Sequence, residues 1–146
     1  MRRLALTVAL VAVAACGSGD RTDRARAVIA TGAGHVVVAV EVADTGSERQ
    51  RGLMGRGFLD ADAGMVFVFP RTTGAPFWMK DTLIPLSIAF YDADGRILRI
   101  LDMEPCRRDP CPLYSPGVAY RGALEVNRGA FERWGVEEGD RLRLDR

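Results

Sequence analysis

The alternation of apolar and polar residues along the chain predicts a series of short β-strands. Runs of β-branched and aromatic residues bounded by glycine, proline or acidic residues are typical of strands. Such runs occupy residues 35–43, 64–69, 76–80, 86–91, 96–102, 123–126 and 141–144. The segment Asp92-Ala93-Asp94-Gly95 separates two of them, and an acidic, glycine-containing segment in that position predicts a β-hairpin.

Two short helices are predicted among these strands. Residues 47–54 follow several N-cap residue types and carry Glu48 in the first turn, where the helix dipole favours an acid. Asn127 is expected to cap a second helix that ends before Gly135. The predicted fold class is therefore α+β, mainly β, with a small antiparallel sheet curled toward a barrel and two short helices.

The first fifteen residues have the features of a bacterial signal peptide. Arg2 and Arg3 form a short positive segment, and residues 4–15 are uncharged, apolar and too short to span a bilayer. The Val-Ala-Ala before Cys16 resembles the lipobox of bacterial lipoproteins. This resemblance implies cleavage before Cys16 and acylation of its thiol, so we expect residues 1–15 to be lost and Cys16 to carry a membrane anchor.

Composition divides the rest of the chain into a linker and a domain. Residues 16–33 are small and charged and lack aromatic residues, so we expect a flexible tether. Residues 34–146 then form a single β-rich globular domain of ordinary size. Loss of residues 1–15 removes two of the 20 basic residues and leaves 18 against 19 acidic ones. This balance argues against a nucleic-acid-binding protein.

Cys106 and Cys111 enclose a proline-rich loop and are expected to form a disulfide. With Cys16 acylated they are the remaining cysteines, and thiols outside the cytoplasm tend to oxidise. The loop-entropy model assigns so short a bridge about 2 kcal/mol. A redox or metal-binding role and free thiols are the alternatives. The spacing is not Cys-x-x-Cys, and one histidine, His35, leaves few zinc ligands, so no metal site and no cofactor are predicted.

Five motifs that occur in order along the chain resemble a known family. They are Arg-Gly-Leu-Met at 51–54, Gly-Met-Val-Phe-Val-Phe at 64–69, Phe-Trp-Met-Lys-Asp-Thr-Leu-Ile-Pro-Leu at 77–86, Leu-Glu-Val-Asn at 124–127, and Gly-Val at 135–136 with Gly-Asp at 139–140. Over residues 35–145 the chain resembles the domain-of-unknown-function 192 family, which implies a small, often exported β-rich domain and no particular reaction. Ser87 and Asp81 stand where this family commonly has Asp and Asn, which puts in question any mechanism that needs those residues.

Trp78, Lys80 and Asp81 are the leading candidates for a ligand-binding surface. Lys80 is the single lysine beside nineteen arginines, and strand alternation places it on the same face as Trp78. An aromatic ring beside an ammonium group suits a sugar or an anion. The structural alternative is a solvated lysine at a strand edge next to a core tryptophan.

Glu125 and Arg51 extend this candidate surface, and Tyr114 and Ser115 are expected at its rim. A carboxylate with a perturbed pKa in a cleft is a functional candidate, and Arg51 or Lys80 could pair with Glu125. The structural alternative makes Glu125 a member of an ordinary ion pair.

Three functional hypotheses are consistent with these residues. The leading one is a membrane-anchored, extracytoplasmic lipoprotein that serves the cell envelope as a binding or accessory module, at the outer face of the cytoplasmic membrane or at an outer membrane. Its partners would be the membrane and a glycan, an anionic small molecule or an envelope protein. The second is a small envelope hydrolase that uses Glu125 or Asp81 as acid–base group and Lys80 or Arg51 to hold an anion. The third is a purely structural protein, and whether the chain is an enzyme stays open.

Overall fold

The computed structural model of the protein describes residues 25–146. Within them the chain forms nine β-strands and two short helices. In chain order these are β1 (Ala25–Thr31), β2 (Gly34–Ala43), α1 (Gly46–Arg51), β3 (Ala63–Thr73), β4 (Phe77–Trp78), β5 (Leu86–Tyr91), β6 (Ile97–Met103), β7 (Leu113–Tyr114), β8 (Tyr120–Asn127), α2 (Ala130–Trp134) and β9 (Arg141–Asp145). The protein is mainly β with two short helices, which confirms the predicted class.

Seven strands form one curled sheet in the order β6-β5-β8-β3-β2-β1-β9, and β4 pairs separately with β7. Neighbouring strands are antiparallel except for the parallel pair β2 and β3. The curl brings the β5–β6 hairpin to β9, where Leu142 N donates to Gly95 O at 2.7 Å. Gly95 has a φ of +78°, and a Cβ there would collide with the Leu142 carbonyl, so this junction requires glycine. The sheet is a half-barrel, the curled shape that was predicted.

Two apolar clusters cover the two faces of this sheet. Alternate residues of a strand point to opposite faces, so Val66 belongs to the first cluster and Phe67 to the second. The helix α2 completes the first cluster. The second cluster contains edge-to-face aromatic pairs, and the ring centroids of Phe90 and Tyr120 are 4.9 Å apart. The residues of the candidate site surround this second cluster.

The predicted tether is wrong in its C-terminal part, because that part forms β1. β1 pairs with β2 along seven residues and with β9 along five. The side chains at alternate positions of β1 are buried in the first cluster: Ala25, Ala27 and Ile29. This is ordinary strand alternation built largely from small side chains, so a prediction from composition missed it. The domain therefore includes residues 25–33, which the prediction assigned to the tether.

The predicted signal peptide at 1–15, the predicted acylation site Cys16 and the first part of the tether lie outside the described residues. Neither helix within residues 25–146 has the length or the apolar composition to cross a membrane. The lipid anchor therefore remains a prediction from the sequence.

Most other predicted strands are confirmed, including β2, the β5–β6 hairpin, β8 and β9. β3 differs because it continues past Pro70, where the prediction ended it. Its register with β8 shifts between Val68 and Thr73, so Pro70 lies in an irregular stretch that needs no backbone N–H for the ladder.

The helix α2 begins later than predicted, and its cap is a different residue. Its N-cap is Gly129, in the left-handed conformation and without a side-chain cap hydrogen bond. The Asn127 side chain instead donates to Leu59 O at 2.9 Å and to Asp60 O at 3.0 Å. Asn127 thus fastens the long connection before β3, while Gly135 ends α2 as predicted.

Candidate functional site

Glu125 is the one charged side chain within residues 25–146 that is buried, with 4% of its surface exposed. It lies in β8 opposite Met65 of β3 and Ile88 of β5, so both cross-strand neighbours are apolar. Burial with no compensating charge raises the pKa of Glu125 to about 8. The carboxyl is therefore mostly protonated at neutral pH, and the ion pair that was considered for it is absent among the described residues.

A small inner cavity of about 30 Å³ gives access to Glu125. Arg51 and Trp78 also line this inner cavity, together with the aromatic rings of Phe67 and Phe77. No side-chain oxygen in the described part of the chain is both fully enclosed and unpaired, so the unpaired Glu125 carboxyl retains contact with the cavity. A space of this size admits a water molecule or one small group of a ligand.

A wider outer cavity of about 450 Å³ adjoins the inner one. The two cavities share four lining residues: Gln50, Arg51, Met54 and Trp78. Lys80 and Asp81 line the outer cavity but not the inner one. Trp78 is 44% exposed, so it is not the core residue of the structural alternative. The structure therefore brings five predicted residues to one cleft, which consists of the inner and outer cavities.

Arg51 reaches both cavities because α1 is held firmly in place. A capping box starts the helix: Glu48 N donates to Thr45 Oγ1 at 3.2 Å, and Thr45 N donates to Glu48 Oε2 at 2.9 Å. The Arg49 guanidinium fixes the helix to β3 by donating to Val68 O at 2.9 Å. Arg51 itself forms no ion pair within residues 25–146, which leaves its charge free for a ligand.

Lys80 is held by the loop that the disulfide closes. Cys106 and Cys111 are joined in the structure, and Cys106 N donates to Met79 O at 3.2 Å, so the loop is attached beside Lys80. Within the loop, Asp109 Oδ2 accepts a hydrogen bond of 3.0 Å from Lys80 Nζ, which raises the pKa of the lysine. Lys80 is thus a paired cation at the edge of the outer cavity.

Asp81 adopts a left-handed backbone conformation, with a φ of +54°. Asp and Asn adopt this conformation more readily than other residues with side chains. The Asp81 carbonyl accepts a hydrogen bond from Gly55 N at 2.8 Å, which joins this turn to the segment after α1. The backbone requirement explains why Asp can occupy a position where the family resemblance leads one to expect Asn.

Tyr114 and Ser115, which were predicted at the rim, line neither cavity, so the structure does not bring them into the cleft. The Tyr114 hydroxyl accepts a hydrogen bond from Glu104 N at 3.0 Å, and its backbone pairs with Phe77. Ser115 is exposed. Three polar residues that do line the inner cavity were missed: Arg49, Gln50 and Thr82. Arg49 is one of nineteen arginines, and Gln50 and Thr82 carry no charge, so residue type alone did not distinguish them.

Ser87 has a structural role away from the cleft. Its hydroxyl donates to Asp102 Oδ1 at 2.5 Å and accepts from Gly129 N at 2.9 Å. These bonds tie β5 to β6 and to the turn before α2, so Ser87 supports the start of that helix. Residues 25–146 contain no group of three or more His, Cys, Asp and Glu side chains placed to hold a metal ion.

Comparison with known proteins gives two kinds of match. The model of the DUF192 family, described as an uncharacterized ACR, matches residues 27–144. The crystal structure of a candidate transcription regulator from Sinorhizobium meliloti 1021 is 33% identical, with a TM-score of 0.77 over 83% of this chain and 93% of that chain. A protein of unknown function from Novosphingobium aromaticivorans DSM 12444 is 30% identical, with a TM-score of 0.75 over 81% and 83% of the two chains. No curated protein matches.

These matches bear on the limits of the domain and on its identity. The match covers 93% of the Sinorhizobium chain. The family match begins at residue 27, inside β1, in agreement with a domain that includes β1. It covers more than half of the sequence. The chain belongs to the DUF192 family.

Proposed function

We propose that the protein is a lipid-anchored binding module of the cell envelope and that its ligand enters the cleft above Glu125. One observation carries this proposal: a buried carboxyl without a partner faces a cavity that opens between an unpaired arginine and a half-exposed tryptophan. A buried, unpaired acid costs the fold stability, and groups of this kind concentrate at functional sites. A ligand that bonds to Glu125 would offset that cost.

The chemistry of the cleft favours an acidic sugar as the ligand. The protonated Glu125 carboxyl can donate one hydrogen bond and accept another, which suits a hydroxyl or amide group in the inner cavity. The indole of Trp78 offers an apolar platform for a sugar ring, and the Arg51 guanidinium suits a carboxylate. Lys80 is already paired with Asp109, so Arg51 is the stronger candidate for the anion.

The proposed anchor predicts a change of location when the acceptor thiol is removed. Cys16→Ser should abolish acylation, because a hydroxyl does not replace the thiol in the lipobox. In cells labelled with radioactive palmitate, the unaltered chain should incorporate label and sediment with membranes, while the variant should carry no label. Cys106→Ser is the control and should keep the label. Label that persists in Cys16→Ser would contradict the anchor without affecting the proposed ligand site.

The proposed ligand site predicts that the domain distinguishes two sugars that differ by a carboxylate. N-acetylmuramic acid and N-acetylglucosamine are suitable probes, because the first carries an additional lactyl carboxylate. We expect N-acetylmuramic acid to bind residues 25–146 at least about tenfold more tightly, as hydrogen bonds to a charged group contribute about 1.5–3 kcal/mol. Nuclear magnetic resonance titration would measure both affinities, with shifts expected at the indole N–H of Trp78.

Matched variants identify the groups responsible for this preference. Arg51→Gln should remove the preference for the acidic sugar, and Trp78→Ala should weaken the binding of both sugars. Arg107→Gln and Phe58→Ala remove an exposed arginine and an exposed aromatic ring outside the cleft and should change neither affinity. Equal affinities for the two sugars, or equal effects of Arg51→Gln and Arg107→Gln, would contradict the proposed ligand class.

A hydrolase is the second candidate function, and one observation favours it. A carboxyl that is protonated at neutral pH can act as a general acid, and burial gives Glu125 this property. Asp81 lines only the outer cavity, so the inner cavity offers no second carboxylate as a base. Binding without consumption of an envelope glycan would favour the binding module over the hydrolase.

The description of the Sinorhizobium relative as a candidate transcription regulator does not alter this proposal. Helix-based DNA recognition inserts a helix into the major groove. The two helices of residues 25–146 have six and five residues and pack on the half-barrel. An envelope location would also separate the protein from DNA.

A further inference from the structure

A second cavity, larger than the cleft, lies where the tip of the β5–β6 hairpin meets β9, beside β1 and β2. Its volume is about 820 Å³, within the range of about 300–1,000 Å³ that small-molecule sites occupy. It is separate from the cleft, with which it shares no lining residue. Apolar side chains contribute much of its wall, among them Val28, Ala30 and Val37, which share one face of the sheet.

Three arginines add positive charge to this wall, and two aspartates oppose them. The cationic side chains are Arg121, Arg141 and Arg143, and the acidic ones are Asp92 and Asp94. Asp92 is committed to the hairpin, since its Oδ1 accepts from Asp94 N and Arg96 N, both at 2.9 Å. The cations therefore outnumber the acids at a wall that is otherwise apolar.

Arg121 differs from the other two arginines in having no partner. Arg143 donates twice to the Asp145 carboxylate, at 2.7 and 3.0 Å. Arg141 donates to the backbone carbonyl of Asp94 at 3.2 Å. Arg121 is half-buried and forms no ion pair within residues 25–146. A half-buried guanidinium beside an apolar cavity is suited to hold an anionic head group that a protein carboxylate does not neutralise.

We propose that this second cavity binds a monomeric anionic amphiphile, with its carboxylate on Arg121 and its hydrocarbon chain against Val28, Ala30 and Val37. Both parts of the ligand are needed, because the guanidinium supplies the charge complement and the apolar wall supplies an area to bury. The mouths of curled β-sheets are frequent places for such ligands. This inference does not depend on the proposed function of the cleft.

Calorimetric titration of residues 25–146 with decanoate, octanoate and acetate tests the two parts of the proposal. Decanoate should bind most tightly, with a dissociation constant that rises about fourfold for each methylene removed if the chain is fully buried, and by less if it is partly exposed. Acetate should show no binding. Equal affinities for the three anions would overturn the proposal in favour of a simple anion site.

Substitutions in the wall test the assignment of the residues. Arg121→Gln should raise the dissociation constant for decanoate about tenfold or more, and Val37→Asp should do the same by placing a charge where the chain lies. Val37 is 52% exposed, so its substitution should leave the fold intact, and circular dichroism would verify this. Arg107→Gln removes an exposed arginine elsewhere and should have no effect. Unchanged binding in Arg121→Gln would overturn the assignment.

The free amphiphile and a lipid head group within a bilayer share the same chemistry, so a further measurement separates them. Vesicles of phosphatidylcholine with phosphatidylglycerol should not sediment residues 25–146, because the proposed chain must leave the bilayer to reach the cavity. Sedimentation that Arg121→Gln abolishes would overturn the monomeric ligand in favour of a membrane surface. Displacement of decanoate by dodecyl sulfate, a second anionic amphiphile, should support the proposed class.

Discussion

A chain that begins at residue 34 is expected not to fold. Such a chain lacks β1, which lies between β2 and β9 and is the one described strand that forms a ladder with β9. Its removal would expose the parts of the first cluster that face Ala27 and Ile29, both fully buried, and would leave β9 and Leu142 held only by the tip of the β5–β6 hairpin. The loss of two strand pairings should exceed the 5–15 kcal/mol that stabilises a typical domain. Circular dichroism should show no cooperative thermal transition.

The comparison chain for this experiment is residues 25–146, which should melt cooperatively. Two substitutions within β1 separate the strand pairing from mere chain length. Ala27→Asp places a charge at a fully buried position and should destabilise the domain by several kcal/mol, while Arg26→Ser in the exposed neighbouring position should change little. A chain from residue 34 that melts like the chain from residue 25 would show that β1 is dispensable.

β1 is the strand of the main sheet that was not predicted from the sequence. The strands rich in Val, Ile and Phe were found, because β-branched and aromatic residues make a strong pattern over a short run. β1 buries two alanines beside one isoleucine, and alternating small residues resemble a linker when the composition alone is considered. The pattern was present, but β1 pairs with β9, which is distant in sequence, as well as with the adjacent β2.

The candidate site could be predicted as a set of residues but not as an arrangement. Glu125, Trp78 and Arg51 were selected for their chemical type, and the structure brings them to one cavity. The absence of a partner for Glu125 was not predictable, because it results from the register that places Met65 and Ile88 across from it. A shift of one residue would have turned Glu125 to the opposite face.

The pairing of Lys80 could not be predicted for a similar reason. Its partner Asp109 lies 29 residues away in the sequence, inside the loop closed by the disulfide. The disulfide was predicted from spacing and compartment, but the way its loop folds back onto β4 depends on the β4–β7 pair, and β7 was not predicted. The sequence therefore identified the lysine and the loop separately, while the contact between them comes from the tertiary structure.

Glu125→Gln is expected to stabilise the domain at neutral and alkaline pH. It should also abolish the part of the pH dependence of the unfolding free energy that comes from Glu125. Burial raises the pKa of Glu125 from 4.5 to about 8, so the folded state holds the proton more tightly than the unfolded state. Stability from this group is then fully present below pH 4.5 and is lost as the pH rises to about 8. The loss amounts to about 5 kcal/mol, since each pKa unit corresponds to 1.36 kcal/mol.

Urea unfolding between pH 4.5 and 8.5 would measure this difference, since glutamine keeps the shape and hydrogen-bonding capacity of the protonated acid but cannot ionise. The stabilisation by Glu125→Gln should grow from near zero at pH 4.5 to about 3 kcal/mol at pH 7. Burial raises the pKa values of Tyr91 and Tyr120 to about 12, so these two buried tyrosines do not titrate in this range. Glu132→Gln, at an exposed position, is the control and should leave the profile unchanged.

A stabilised Glu125→Gln variant with weaker sugar binding would have a definite physical meaning. The domain would then contain an acid that lowers its stability at the pH where the protein binds its ligand. Such a loss of stability is expected where a residue is retained because it contacts the ligand. If Glu125→Gln were instead less stable at every pH, the carboxyl would have a structural partner, and the cleft would lose the observation on which its assignment rests. The pH profile of one variant therefore distinguishes a binding group from a structural one, whatever the ligand.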